Sequence, residues 1–142
     1  MKIIKTVSLL FLCLLSYNTL HAQTDLHPIN KKLSTCLETD SMQTTMGMIG
    51  CIVQARKEWD IELNRYYNLL QKKLSSEEQK KLKLAQRQWL KYRDLEYDFS
   101  NTMHYGVQGT LYHILAAQRS KDIVKQRAQE LKHYLDTLNN SE

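Results

Sequence analysis

The feature that most constrains this chain is an apolar stripe at helical spacing, which recurs three times and never gives way to period-two alternation. Met48, Ile52, Ala55, Trp59, Leu63, Tyr66 and Leu70 follow one another in steps of four and three, along one face of an amphipathic helix. Thr44 or Thr45 is placed to cap its start. A second stripe, Leu82, Ala85, Trp89, Tyr92, Glu96, Phe99 and Met103, alternates steps of three and four without a slip. Ahead of it Ser75 and Glu78 are spaced as a capping box. The third runs Leu111, Ile114 and Ala117, then resumes past Ser120 and Lys121 at Val124, Ala128, Leu131, Leu135 and Leu138. Gly106-Val107-Gln108-Gly109 is the break before it, and Thr110 is the expected cap. Connections this short make neighbouring helices antiparallel. The expected fold is all-α: a small three-helix up-down-up bundle.

The N-terminus obeys different rules. Lys2 and Lys5 precede a nine-residue apolar run, Val7 to Leu15, and small Ala22 stands before Gln23. This is the pattern of a secretory signal peptide over residues 1–22, cleaved after Ala22. A membrane span takes about 20 apolar residues, and Ser16, Tyr17 and Asn18 end the run early. A lipoprotein signal needs a small residue before Cys13, where Leu12 stands. The expectation is a periplasmic or secreted protein with no membrane anchor after cleavage. Residues 23–40 are polar, aperiodic and hold the only proline, Pro28. They read as an extended N-terminal arm leading into a helical domain over residues 41–142.

Export changes the charge and the cysteine count. Of 20 Lys+Arg and 15 Asp+Glu, two cations and no acids precede residue 23, so the mature chain carries +3. That is too mild for a nucleic-acid partner. Cys13 leaves with the signal, so Cys36 and Cys51 remain. In an oxidising compartment they are expected to pair. The bond would tie the arm to the weak, glycine-containing start of the first helix.

No nucleophile stands beside a base in a catalytic pattern, and no glycine-rich phosphate loop occurs. Glu130 and His133 have the spacing of half a di-iron site, but the pattern occurs once and such a site needs two copies. The chain is therefore expected to be no enzyme and to hold neither metal nor cofactor. The most distinctive polar group is Gln86, Arg93, Asp94 and Glu96. Glu96 falls on an apolar stripe and needs a partner if buried, and Arg127 or Arg93 is the expected one. Asp60 and Asn64, four apart beside the first stripe, are expected to join a structural network of Asp60, Asn64, Gln86, Arg93, Glu96 and Arg127. Tyr105 and Tyr112 flank the glycine break, and with Gln108 inside it they are the expected partner-binding surface.

Taken in order, these residues resemble the lysozyme inhibitor LprI-like family from Cys36 to about Leu131. Thr45-x-x-Met48-x-x-Cys51 is similar to its opening, and Asp60-x-x-Leu63-Asn64-x-x-Tyr67 to its central signature. Ala85-Gln86-Arg87-x-Trp89-x-x-Tyr92-Arg93-Asp94-x-Glu96 is similar to its strongest motif. Gly109-Thr110 and Lys125-Gln126-Arg127-x-x-x-Leu131 resemble its later turn and closing motif. Many members carry a second cysteine pair. Here Tyr97 takes the first place, and no cysteine stands near Arg119 and Ser120. The resemblance implies a binding protein with a protein partner, a lysozyme by the family's name, acting by occlusion rather than catalysis. A chaperone-like or structural helical protein of the cell envelope is the alternative. Animal lysozymes are strongly basic, so an inhibitor gains from acidic surface. Glu58, Asp60 and Glu62 are the candidates for such a patch.

Overall fold

The computed structural model describes residues 27–140. The expected signal peptide and the first residues of the expected arm lie outside the described residues. The described residues form α1 (Pro28–Glu38), a short 3-10 turn (Asp40–Met42), α2 (Thr45–Lys73), α3 (Ser76–Tyr105) and α4 (Leu111–Asn139). The all-α class stands, and α2 to α4 are the three expected helices.

Helix α1 corrects both the helix count and the extended arm. Pro28 is the first residue of the helix, where the missing N–H is no loss. The His27 ring accepts a hydrogen bond from the Ile29 N–H at 3.3 Å and caps the turn. Ile29 enters the core and Leu33 packs against it, and the His27 ring stands 4.2 Å from that of Trp59. Eleven residues make a marginal helix in isolation. Three attachments to α2 hold it: this packing, a Lys32–Glu58 ion pair of 3.0 Å, and the Cys36–Cys51 disulfide, with its Cα atoms 5.9 Å apart.

Helix α2 follows its sequence pattern closely. The Thr44 hydroxyl caps it by accepting from Gly47 N–H at 3.0 Å. The 3-10 turn lies so close that a Cβ on Gly47 would stand 2.5 Å from the Met42 carbonyl oxygen, so this helical glycine is a packing requirement. Cys51, Ile52, Ala55, Trp59, Leu63, Tyr66 and Leu70 are buried. From Ala55 onward they meet Val124, Ala128, Leu131 and Leu135 of α4 in one continuous core. Lys125 stands over the Trp59 ring, while Leu70 and Leu138 share a hollow further along. Helices α2 and α4 therefore run parallel, as two reversals of the chain require.

Helix α3 joins α2 through a tight Leu74-Ser75 connection. Ser75 and Glu78 make the expected capping box, and Gln79 donates to the Gln71 and Leu74 carbonyls at 2.8 and 2.9 Å. Beyond this anchor the apolar stripe departs from expectation. Leu82 and Trp89 pack against the core, but Tyr92, Phe99 and Met103 are exposed. A strict seven-residue repeat drifts by about 20° per heptad around a straight helix. Over three heptads the stripe rotates off the interface, and Gln86, Arg93, Tyr97 and Ser100 take its place. At the second reversal Gly109 adopts φ 112°, which favours glycine. Thr110 occupies the N-cap of α4 without a side-chain capping bond, contrary to expectation.

Candidate functional site

The polar signature residues line a furrow between α2 and α3. Its upper part, about 490 Å³, is bounded by Arg56, Lys57, Asp60, Arg93 and Tyr97, with Val124 of α4 among the lining residues. Its lower part, about 380 Å³, shares Asp60 and Arg93 and adds Asn64, Lys83, Gln86, Arg87 and Trp89. The furrow opens because α3 packs more closely on α4 than on α2, which it meets at the connection through Gln79 and the Gln71 and Leu74 carbonyls.

The expected polar network is divided into separate groups. Asn64 donates to the Asp60 carbonyl at 2.8 Å and to its carboxylate at 3.3 Å, both within α2. Gln86 accepts from Arg127 Nε at 3.0 Å, a bond between α3 and α4 that joins two of the grouped residues, although Arg127 was expected to serve Glu96. Arg127, buried, also pairs with Glu130 at 2.7 Å. Arg93 pairs with Asp94, its neighbour, at 2.7 Å. The half-buried Glu96 is joined by neither expected arginine. Arg119 of α4 holds it, through Nη2 at 2.5 Å and Nε at 3.1 Å, and the Arg119 guanidinium is held above its ordinary pKa by that carboxylate. On an antiparallel pair Arg119 stands level with Glu96, whereas Arg127 lies two turns further on, level with Gln86.

Two residues that sequence reasoning did not assign to a site matter here. Tyr97 stands where the family resemblance led one to expect a cysteine, and its hydroxyl donates to the Ser120 carbonyl at 3.0 Å. A hydrogen bond thus joins α3 to α4 in the neighbourhood where the resemblance places a second disulfide. Burial pushes the phenol's pKa up, so it remains a donor across the physiological range. Arg56, from the middle of α2, faces the same ring, with its guanidinium carbon 5.8 Å from the centroid. The departure from cysteine at position 97 was a signal for the first. Nothing in the spacing marked the second.

The expected contact surface lies at the far end of α3 and α4. Tyr105 is exposed and stacks on His113, with centroids 4.2 Å apart. Gln108 is exposed on the turn, and Tyr112 is half-buried. The larger feature there was missed. Leu95, Phe99 and Met103 on α3 and Leu111 and Leu115 on α4 form an exposed apolar strip, with Phe99 at 61% exposure. Phe99, Met103 and Leu115 line a shallow hollow of about 300 Å³ whose floor includes the Glu96–Arg119 pair. Residues 94–118 hold three carboxylates and no lysine or arginine. The acidic patch expected at Glu58, Asp60 and Glu62 is neutralised instead: Lys32 pairs with Glu58 and Arg65 with Glu62. Among the described residues, no group of three or more His, Cys, Asp and Glu could hold a metal ion. No helix among them is long and apolar enough to cross a membrane.

Fold and furrow together define a small, disulfide-stapled, all-α domain. The model of the lysozyme inhibitor LprI family matches residues 36–131, and the chain belongs to that family. It is also similar to the crystal structure of an uncharacterized protein from Burkholderia thailandensis, with a TM-score of 0.75 and 27% identity. That likeness covers 80% of this chain and 56% of the other, so the chain spans little more than half the length of that protein. No curated protein matches the chain.

Proposed function

We propose that this chain is an exported binding protein of the LprI lysozyme-inhibitor type, periplasmic or secreted, which acts by protein–protein occlusion and not by catalysis. Family membership supports the class of partner. The observation that carries the reading is the exposed strip of Leu95, Phe99, Met103, Leu111 and Leu115 at the end of the α3–α4 hairpin. Monomeric proteins seldom leave contiguous large apolar side chains bare without an interaction to serve. The strip is flanked by Asp94, Glu96 and Asp98. The first two are paired with arginines, and Asp98 adds net negative charge. With Asp94 and Glu96 paired, Asp98 leaves this stretch slightly negative in a chain that is basic elsewhere, and charge of that sign favours encounter with a basic enzyme.

The test is to titrate the mature protein against c-type and g-type lysozymes while following muramidase activity. Inhibition is expected at micromolar excess, and the double variant Phe99→Asp, Met103→Asp should abolish it without changing the circular dichroism. Absence of inhibition of both enzymes would overturn the reading.

The same strip is the observation behind a second reading, a chaperone-like or structural protein of the envelope. That reading expects suppression of aggregation of a reduced, unfolding client. The first expects none.

A further inference from the structure

We infer that the upper furrow between α2 and α3 is a binding site for carboxylates carried on an extended acidic peptide. This site is separate from the apolar hairpin end and does not depend on the lysozyme reading. Along the two parts of the furrow stand Arg56, Lys57, Lys83, Arg87 and Arg93, against Asp60 as the only carboxylate among the lining residues. Asp60 is engaged by Asn64 of its own helix. The centre of the site is Tyr97, whose ring has two guanidinium carbons, those of Arg56 and Arg93, each 5.8 Å from its centroid. No carboxylate among the described residues forms an ion pair with Arg56. Arg93 donates through Nε and Nη2 to one oxygen of the more exposed Asp94, which an incoming carboxylate would have to share or displace, and it also stands over the Trp89 ring at 5.6 Å.

Both arginines are half-buried. They are oriented by aromatic faces, so less side-chain freedom is lost when an anion arrives. The planar fork of a guanidinium matches a carboxylate bidentately and is stronger than a neutral hydrogen bond. Val124 of α4 lies within the same cleft, which lowers the local dielectric and strengthens the attraction. The further cations Lys83 and Arg87 continue along the furrow. That succession suits several negative charges on one strand better than a single small anion.

The experiment is calorimetric titration of the mature protein with a hexaglutamate peptide, and separately with succinate, at low salt. The peptide is expected to bind with a salt-dependent affinity, weakened about tenfold by either Arg56→Gln or Arg93→Gln. Arg56→Lys should fall between. The control Lys80→Gln, Lys81→Gln, on the exposed start of α3, should leave affinity unchanged. Succinate binding as tightly as the peptide, with the same losses in the arginine variants, would support the carboxylate site and identify free diacids as its source. No binding of either probe, or equal losses in the lysine control, would overturn the proposal. Thermal melts of each variant confirm that it is folded. Lys57→Gln, which changes only an exposed charge on the rim, provides a second weakened variant should Arg56→Gln or Arg93→Gln fail to fold. Lysozyme titration of the same arginine variants distinguishes the two sites, because inhibition at the hairpin end should persist when carboxylate binding is lost.

Discussion

Tyr97 shows how one side chain can take over a structural duty by different chemistry. A disulfide between α3 and α4 would restrain the unfolded chain. The hydrogen bond from Tyr97 to the Ser120 carbonyl acts only in the folded state, and its net worth is about 1 kcal/mol. Tyr97→Phe keeps the ring between Arg56 and Arg93 but leaves that carbonyl without its donor. Its expected cost is roughly 1 kcal/mol in chemical denaturation, with local amide exchange speeding around residues 97 and 120. An unchanged midpoint would mean that the bond contributes nothing. The Glu96–Arg119 pair asks for a more modest claim than its short distance invites. Its side chains are 23% and 37% exposed, so solvent screens it and its contribution is well under that of a buried pair. Its main effect is to fix how the two helices align.

Among the elements, α1 was the least legible in the sequence and α2 the most. For α2, burial on one face makes the spacing of Met48 to Leu70 decisive, and the structure buries nearly all of it. For α1, the polar composition around Pro28 concealed a short stripe of Ile29, Leu33 and Cys36. A helix this short gets its stability from its attachment to α2, which local sequence does not display. For α3, the pattern announced a helix correctly but assigned the wrong face, because its interface is polar and the strict repeat drifts away from it. The same error hid the apolar strip and gave Glu96 the wrong arginines. The disulfide was legible, since two cysteines lie outside the expected signal peptide and one of them sits beside the glycine-containing start of α2. Cys36→Ser with Cys51→Ser should cost about 3 kcal/mol by the loop-entropy estimate. Hydrogen exchange should show the loss concentrated in residues 28–38, with the α2–α4 core nearly as protected as before. Uniform loss of protection would instead make α1 an integral part of one cooperative unit.

At the scale of the whole molecule, charge is distributed unevenly in a way that the formal total of +5 does not reveal. Residues 72–91 hold Lys72, Lys73, Lys80, Lys81, Lys83, Arg87 and Lys91 against Glu77 and Glu78, while residues 94–118 hold only acids. The α2–α3 connection and the start of α3 are thus basic, whereas the far end of the α3–α4 hairpin is apolar and free of lysine and arginine. Several carboxylates are also tied into the fold itself. Glu58 lies below its ordinary value of 4.5 because Lys32 hydrogen-bonds to it, Glu62 because Arg65 does, and Glu78 because Ser75 does. Each holds its proton more weakly in the folded chain than in the unfolded one. Acid therefore favours unfolding: these groups stabilise the fold fully above about pH 4.5, and the benefit is lost as pH falls through their lowered values. The melting temperature is expected to be level from pH 7 to pH 5 and to fall below pH 4.5. The triple variant Glu58→Gln, Glu62→Gln, Glu78→Gln should melt lower at neutral pH and show a flatter decline in acid. Parallel curves for the two proteins would place the acid sensitivity in other carboxylates. If the curves converge, the Lys32–Glu58 tie of α1 to α2, the Glu62–Arg65 pair within α2 and the Ser75–Glu78 cap of α3 account for it, and the domain's acid limit is set away from both proposed binding surfaces.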